Sequence, residues 1–227
     1  MNKFQIIKNK NPKLWAVLIP LFFLLGALIL LGIDLWSKLG IFFYVHGKVE
    51  AGELAYDAMD KFMVREGSIL NIYLTFNDGM AFGIQLPPAL LVTISLLMSV
   101  AVVVFFIWRY KKNNIIIKIL CVLVFAGTFG NLIDRFFFVI GVFPYERGVI
   151  DFIDPAFMRF AVFNFADSYL VIGLIAVIIY FVVDAIIHSK VKNNEQIKES
   201  HNDTNVLLTK EQIEEAHRKS LEEKNNE

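Results

Sequence analysis

The sequence predicts an α-helical integral membrane protein with four transmembrane helices and a small β-element on the outer membrane surface. Three observations point there. Of 227 residues, 56% are hydrophobic and 19% charged, whereas soluble domains rarely exceed about half apolar. Four apolar runs approach the roughly 20 residues needed to cross the hydrocarbon of a bilayer. The links between these runs alternate in charge as the positive-inside rule describes.

The first span, residues 14–33, contains no ionisable side chain. Lys3, Lys8, Lys10 and Lys13 precede it as they would a secretory leader. The run is too long for a signal core, however, and no small-x-small cleavage site follows it, so it reads as a retained anchor. The second span, residues 89–108, is equally free of charge. The third, 119–133, is short and reaches back through 115–117 with Lys118 snorkelling towards the headgroups. The fourth, 169–187, carries one acid, Asp184, near its end.

Residues 1–13 hold four lysines and no acid, and the link after the second span holds Arg109, Lys111, Lys112 and Lys118, again with no acid. The link 34–87 has four bases against seven acids, and 134–167 three against five. Both termini, residues 1–13 and the polar tail 188–227, are therefore expected in the cytoplasm, with the two acidic links outside. The tail reads as loosely structured and receives no catalytic role. In the first external link, residues 48–66 are polar and suit a short helix. Residues 69–76 are rich in β-formers and end at the turn residues Asn77-Asp78-Gly79. Residues 148–153 and 160–163 have similar strand character. A small sheet follows, its backbone paired or wet because open edges are not tolerated in lipid.

Several function classes are excluded at this stage. Net charge is zero, which suggests no nucleic-acid partner. Cys121 stands alone inside the third span, and no Cys/His spacing suits a metal. His46, His188, His201 and His217 form no His-Glu-x-x-His motif, and three of them fall on the cytoplasmic side. A serine–histidine protease needs its base at the site. A transporter would place acids within the spans, facing one another; here they gather at one surface.

Polar residues concentrate at five places on that surface. They are Asp34-Leu35-Trp36-Ser37-Lys38, Asn77-Asp78-Gly79-Met80-Ala81-Phe82-Gly83, and Gly127-Thr128-Phe129-Gly130-Asn131-Leu132-Ile133-Asp134-Arg135, followed by Val149-Ile150-Asp151-Phe152-Ile153 and Phe163-Asn164-Phe165-Ala166-Asp167-Ser168. In order and wording the five resemble the motifs of the bacterial lipoprotein signal peptidase (signal peptidase II) family, over roughly residues 30–175. Leu35 and Met80 depart from the usual wording, and no carboxylate is missing. The resemblance implies an aspartyl endopeptidase of the bacterial inner membrane, with its active site on the outer side. Its expected partners are prolipoprotein substrates carrying a diacylglyceryl-cysteine, cut on the N-terminal side of that cysteine, together with the surrounding membrane lipids.

Hydrolysis by carboxylates needs two that share a proton, one to activate water and one to protonate the carbonyl oxygen or leaving amine. The motifs offer Asp34, Asp134, Asp151 and Asp167. The resemblance places the catalytic pair at Asp151 and Asp167, with Asp134 as the rival for one place. Asp167 falls in the first turn of the fourth span and Asp151 on a strand above it, and the 16 residues between them permit contact. Asn77, Asn131 and Asn164 both donate and accept hydrogen bonds, and with Asp134 and Arg135 they are expected to bind substrate. Asp34, Lys38, Gly79, Gly83 and Gly130 read as structural, the first two near the lipid headgroups. No metal or organic cofactor is implied, since water and two carboxylates suffice.

Overall fold

The computed structural model describes residues 12–79, 85–109 and 114–224. Gly83, one of the expected structural positions, lies outside them. Helix α1 runs Pro12–Glu50, α2 Pro88–Arg109, α3 Ile115–Val139 and α4 Phe165–Lys224. All four are long and apolar enough to cross a membrane. Strands β1 (Phe62–Arg65), β2 (Leu70–Asn77) and β3 (Val149–Pro155) form one antiparallel sheet in that order.

Helix α1 contains the first departure from expectation. It does not end near Ile33 but continues for 17 further residues to Glu50. At 1.5 Å per residue its 39 residues span about 58 Å, nearly twice the roughly 30 Å of hydrocarbon. The extension holds because its inner face is apolar. Phe42 and Val45 are buried with Met59, Leu74, Tyr145 and Ile150 in one core between α1 and the sheet. Residues 48–66, expected as a short helix, instead complete α1, turn through a 3-10 helix at Tyr56–Met59 and enter β1.

Helix α3 is the central helix. Ala126, Gly127, Thr128, Gly130, Asn131 and Asp134 are all buried along it, and α1 and α2 both pack on it. Asn114 caps its start, its Oδ1 accepting from the backbone N–H of Ile116 at 3.0 Å. Glycine lets α4 come close. A Cβ at Gly127 would lie 2.5 Å from the carbonyl oxygen of Ala166. One at Gly130 would lie 2.9 Å from Asp34 Oδ2 and 3.0 Å from Ala166 Cβ.

The described residues form two compact units, divided between Val177 and Ile178. Everything below concerns the first. The second, from Ile178, is helical to Lys224, so residues 188–224 of the tail read as loosely structured are helical. Asp184 and His188 face each other within it, one turn apart at 3.7 Å.

Candidate active site

The site is built around the first turn of α4. A helix start leaves backbone N–H groups without intrahelical partners, and here side chains supply them. Asn164 is the N-cap, and its Oδ1 accepts from the N–H of Asp167 at 2.9 Å. Asp167 returns the contact, its Oδ2 accepting from the N–H of Asn164 at 3.1 Å. This reciprocal pair is a capping box with Asp in the third position. The N–H of Ala166 between them donates to Asp34 Oδ1 at 2.8 Å, across 132 residues of sequence. The backbone of α4 therefore fixes Asp167 before any tertiary contact to its side chain is considered.

Asp151 reaches the same point from β3. In the β2–β3 ladder Thr75 pairs with Asp151 and Asn77 with Val149. Gly148 permits the approach at φ 120°; a Cβ there would meet the Asn77 carbonyl oxygen at 2.6 Å. The Asp151 side chain is buried and takes hydrogen bonds from two amides. Asn164 Nδ2 donates to Oδ1 at 2.6 Å and Asn77 Nδ2 to Oδ2 at 3.0 Å. Asn77 Oδ1 is occupied by the N–H of Gly79 at 3.1 Å, which leaves its nitrogen for the carboxyl. Burial first, and then the nearby Asp167, push the Asp151 carboxyl up to about 8, against the hydrogen bonds from Asn77 and Asn164 and the charge of Lys38. A carboxyl so placed keeps its proton to higher pH than an ordinary aspartate.

Behind the two aspartates lies an ionic centre. Lys38 Nζ sits 2.7 Å from Asp34 Oδ2 and 2.8 Å from Asp134 Oδ2, all three side chains fully inaccessible. It also donates to Asn131 Oδ1 at 3.2 Å. An ammonium has three donors, and each has an acceptor here. Asn131 Oδ1 accepts a second bond, from Asn164 Nδ2 at 3.1 Å. With its oxygen thus engaged, the Asn131 amide nitrogen faces Asp167 and donates to Oδ1 at 2.7 Å. An unbroken chain of contacts links α1, α3, α4 and β3.

Residues 26–183 of the chain match the family described as Signal peptidase (SPase) II. The chain belongs to that family. Curated members resemble it at moderate identity. The lipoprotein signal peptidase of Borrelia turicatae (strain 91E135) is 33% identical over 161 residues, covering 67% of this chain and 84% of the relative. That of Borrelia hermsii (strain HS1 / DAH) is 34% identical over 158 residues, with the same coverage. The lipoprotein signal peptidase of Lactobacillus gasseri is 32% identical over 123 residues, 54% of this chain and 74% of the relative. A solved bacterial membrane enzyme, determined in meso at 2.3 Å, aligns with a TM-score of 0.56 at 29% identity, over 72% of this chain and 89% of its own. The chain is thus a signal peptidase II family protease.

Within the family frame, several positions sit differently from expectation. Asp34 and Lys38 do not face lipid headgroups; both are fully buried. Burial there is tolerable only because the charges meet one another and the start of α4. Asp134 is equally buried and presents no surface to a substrate. It pairs with Lys38 rather than with its neighbour Arg135, since adjacent helical residues do not face each other. Arg135 Nη1 instead donates to Ser95 Oγ at 3.0 Å, while its Nε is buried without a hydrogen-bond partner. The three asparagines all direct amide hydrogens at carboxyl oxygens of Asp151 or Asp167. Sequence reasoning passed over Ser95. Its only signal was the Ser95…Ser99 spacing, which puts two hydroxyls on one face of an apolar span, and both are buried. Ser99 Oγ donates to the Ser95 carbonyl at 2.8 Å and lies 3.1 Å from Thr128 Oγ1 on α3.

Proposed function

We propose that Asp151 and Asp167 are the catalytic pair with which this protease removes the signal peptide from diacylglyceryl-modified prolipoproteins, cutting on the N-terminal side of the lipidated cysteine. One observation carries the assignment. A single residue, Asn164, donates to both carboxyls, through its side chain to Asp151 at 2.6 Å and through its backbone to Asp167 at 3.1 Å. Asp34 and Asp134, by contrast, are occupied by Lys38.

The reaction then balances with two carboxyls and one water. Asp167, partly exposed and receiving two N–H donors, takes a proton from water as its oxygen attacks the peptide carbonyl carbon. Asp151 passes its proton to the carbonyl oxygen, giving a neutral tetrahedral diol. Asp167 returns its proton to the amide nitrogen, the C–N bond breaks and the amine leaves, and Asp151 recovers a proton from one hydroxyl of the diol as that oxygen becomes the carbonyl of the new carboxylic acid. We assign the three asparagines to holding the carboxyls, with Arg135, which is only half-buried, left to meet substrate carbonyls through the guanidinium nitrogen not bound to Ser95. The lipid tails of the substrate stay in the bilayer beside the spans, so the peptide enters laterally. Charge distribution supports cytoplasmic termini and a site facing outward from the bacterial inner membrane.

The test is cleavage of a diacylglyceryl-modified prolipoprotein peptide in detergent by wild type, Asp151→Asn and Asp167→Asn. The expected outcome is cutting before the modified cysteine by wild type alone, with both variants folded. Near-normal activity in either variant removes that residue from the pair and promotes Asp134.

A further inference from the structure

Between β3 and α4 the chain reads Ala156-Phe157-Met158-Arg159-Phe160-Ala161, six consecutive exposed residues with one cation and no acid. Phe157 is 69% exposed and Met158 50%, and Phe160 is half exposed while packing edge-on against Phe163. The loop is not loosely attached. The N–H of Ala156 donates to the Ile69 carbonyl at 2.9 Å, that of Met158 to the Pro155 carbonyl at 3.3 Å, and Asn71 Nδ2 to Asp154 Oδ2 at 2.8 Å. These bonds hold the loop beside Ile69 and Leu70, which are themselves exposed. An apolar surface of this kind, held in place outside the spans, marks an interaction site.

Its position identifies the occupant. The loop ends four residues before α4 begins at Phe165, and the lipid-facing surface of α4 continues from there with exposed Val171, Ile172 and Ile175. An aromatic-rich segment immediately ahead of a span lies at headgroup depth, where aromatic rings and arginine are favoured. We propose that residues 156–161, with Ile69 and Leu70, form an interfacial anchor that inserts into the outer-leaflet boundary. Phe157 and Met158 enter the acyl region and Arg159 meets lipid phosphates. The anchor ties β3, and hence Asp151, to the plane of the membrane.

Nitroxide depth measurement on the full chain in lipid nanodiscs tests this without using catalysis, so its failure is separable from failure of the proteolytic assignment. In a Cys121→Ala background, Phe157→Cys is labelled and compared with Glu53→Cys, an exposed acidic site on the first link. The expected result is an inverted collision ratio: the label at 157 relaxes with oxygen in preference to a nickel chelate, and the label at 53 does the opposite. Met158→Cys provides a second site should the first variant fold poorly. A label at 157 or 158 as open to nickel as that at 53 overturns the proposal. So does a label shielded only when lipopeptide is added, which would make the loop a docking surface for the preprotein.

Discussion

Asp34 and Asp134 meet across an ammonium, whereas Asp151 and Asp167 meet across amides, and the difference separates structure from chemistry. The first pair is fully buried and held by Lys38, with the backbone of α4 binding Asp34 as well. A charge paired in this way is fixed, and changing its protonation breaks the packing around it. Among the described residues, the second pair receives only neutral donors, from Asn77, Asn131 and Asn164. Neutral donors orient a carboxyl without neutralising it, so protons can come and go. Four aspartates of one chemical type thus stand in two environments, which suit the two roles proposed for them.

Breaking the second pair should give the largest effect. Asp151→Asn and Asp167→Asn are expected to lower the cleavage rate by roughly 10²–10⁴-fold, the usual worth of a positioned acid or base. Their melting temperatures should change little. Breaking the first pair should do the opposite. Lys38→Met leaves two buried carboxyls without their cation and is expected to cost about 3–5 kcal/mol of stability, measured by thermal unfolding in detergent. A Lys38→Met protein as stable as wild type would remove the structural half of the contrast.

The junction between the pairs is Asn164, where cap and bridge can be separated. Asn164→Ser keeps a capping oxygen but loses the amide that reaches Asp151. Stability should stay within about 1 kcal/mol of wild type, while the cleavage rate falls roughly twofold to tenfold, the worth of one hydrogen bond between neutral groups. Asn164→Ala should lose both. The smallest effect is a shift in pH dependence. With Asp151 as the proposed acid, held up to about 8, activity should fall as pH rises through that value and the proton is lost. The Asn77 hydrogen bond lowers this value, so Asn77→Ala should move the alkaline limb to higher pH. A limb that stays in place or moves down would show that Asp151 does not supply the proton.

Much of the fold was legible because a membrane imposes simple rules. Runs free of charge predict α2 and the body of α1, and β-formers followed by Asn-Asp-Gly predict β2 to within a residue. The start of α4 was written in the sequence too, since Asn164 and Asp167 stand at capping-box spacing. What escaped notice depended on distant partners. Residues 34–50 look like a link because they carry Asp34, Lys38 and Lys48, yet they stay helical because Phe42 and Val45 find buried partners far along the chain, at Leu74 and Ile150 of the sheet. The burial of Lys38 needs carboxylates from both α1 and α3, and no local pattern announces that. Asp34 bonding the N–H of Ala166 is likewise a fact of three dimensions. The helical tail has no apolar stripe strong enough to declare itself.

The capping box bears on how the protein comes into being. Asp167 acquires its position only when α4 starts at Phe165, Asn131 presents its nitrogen only against Lys38, and Asp34 completes the turn from the opposite end of the domain. Under the proposed assignment, a chain with one, two or three helices laid into the bilayer lacks the arrangement that would cut peptides, and hydrolytic competence would arrive with the last helix inserted.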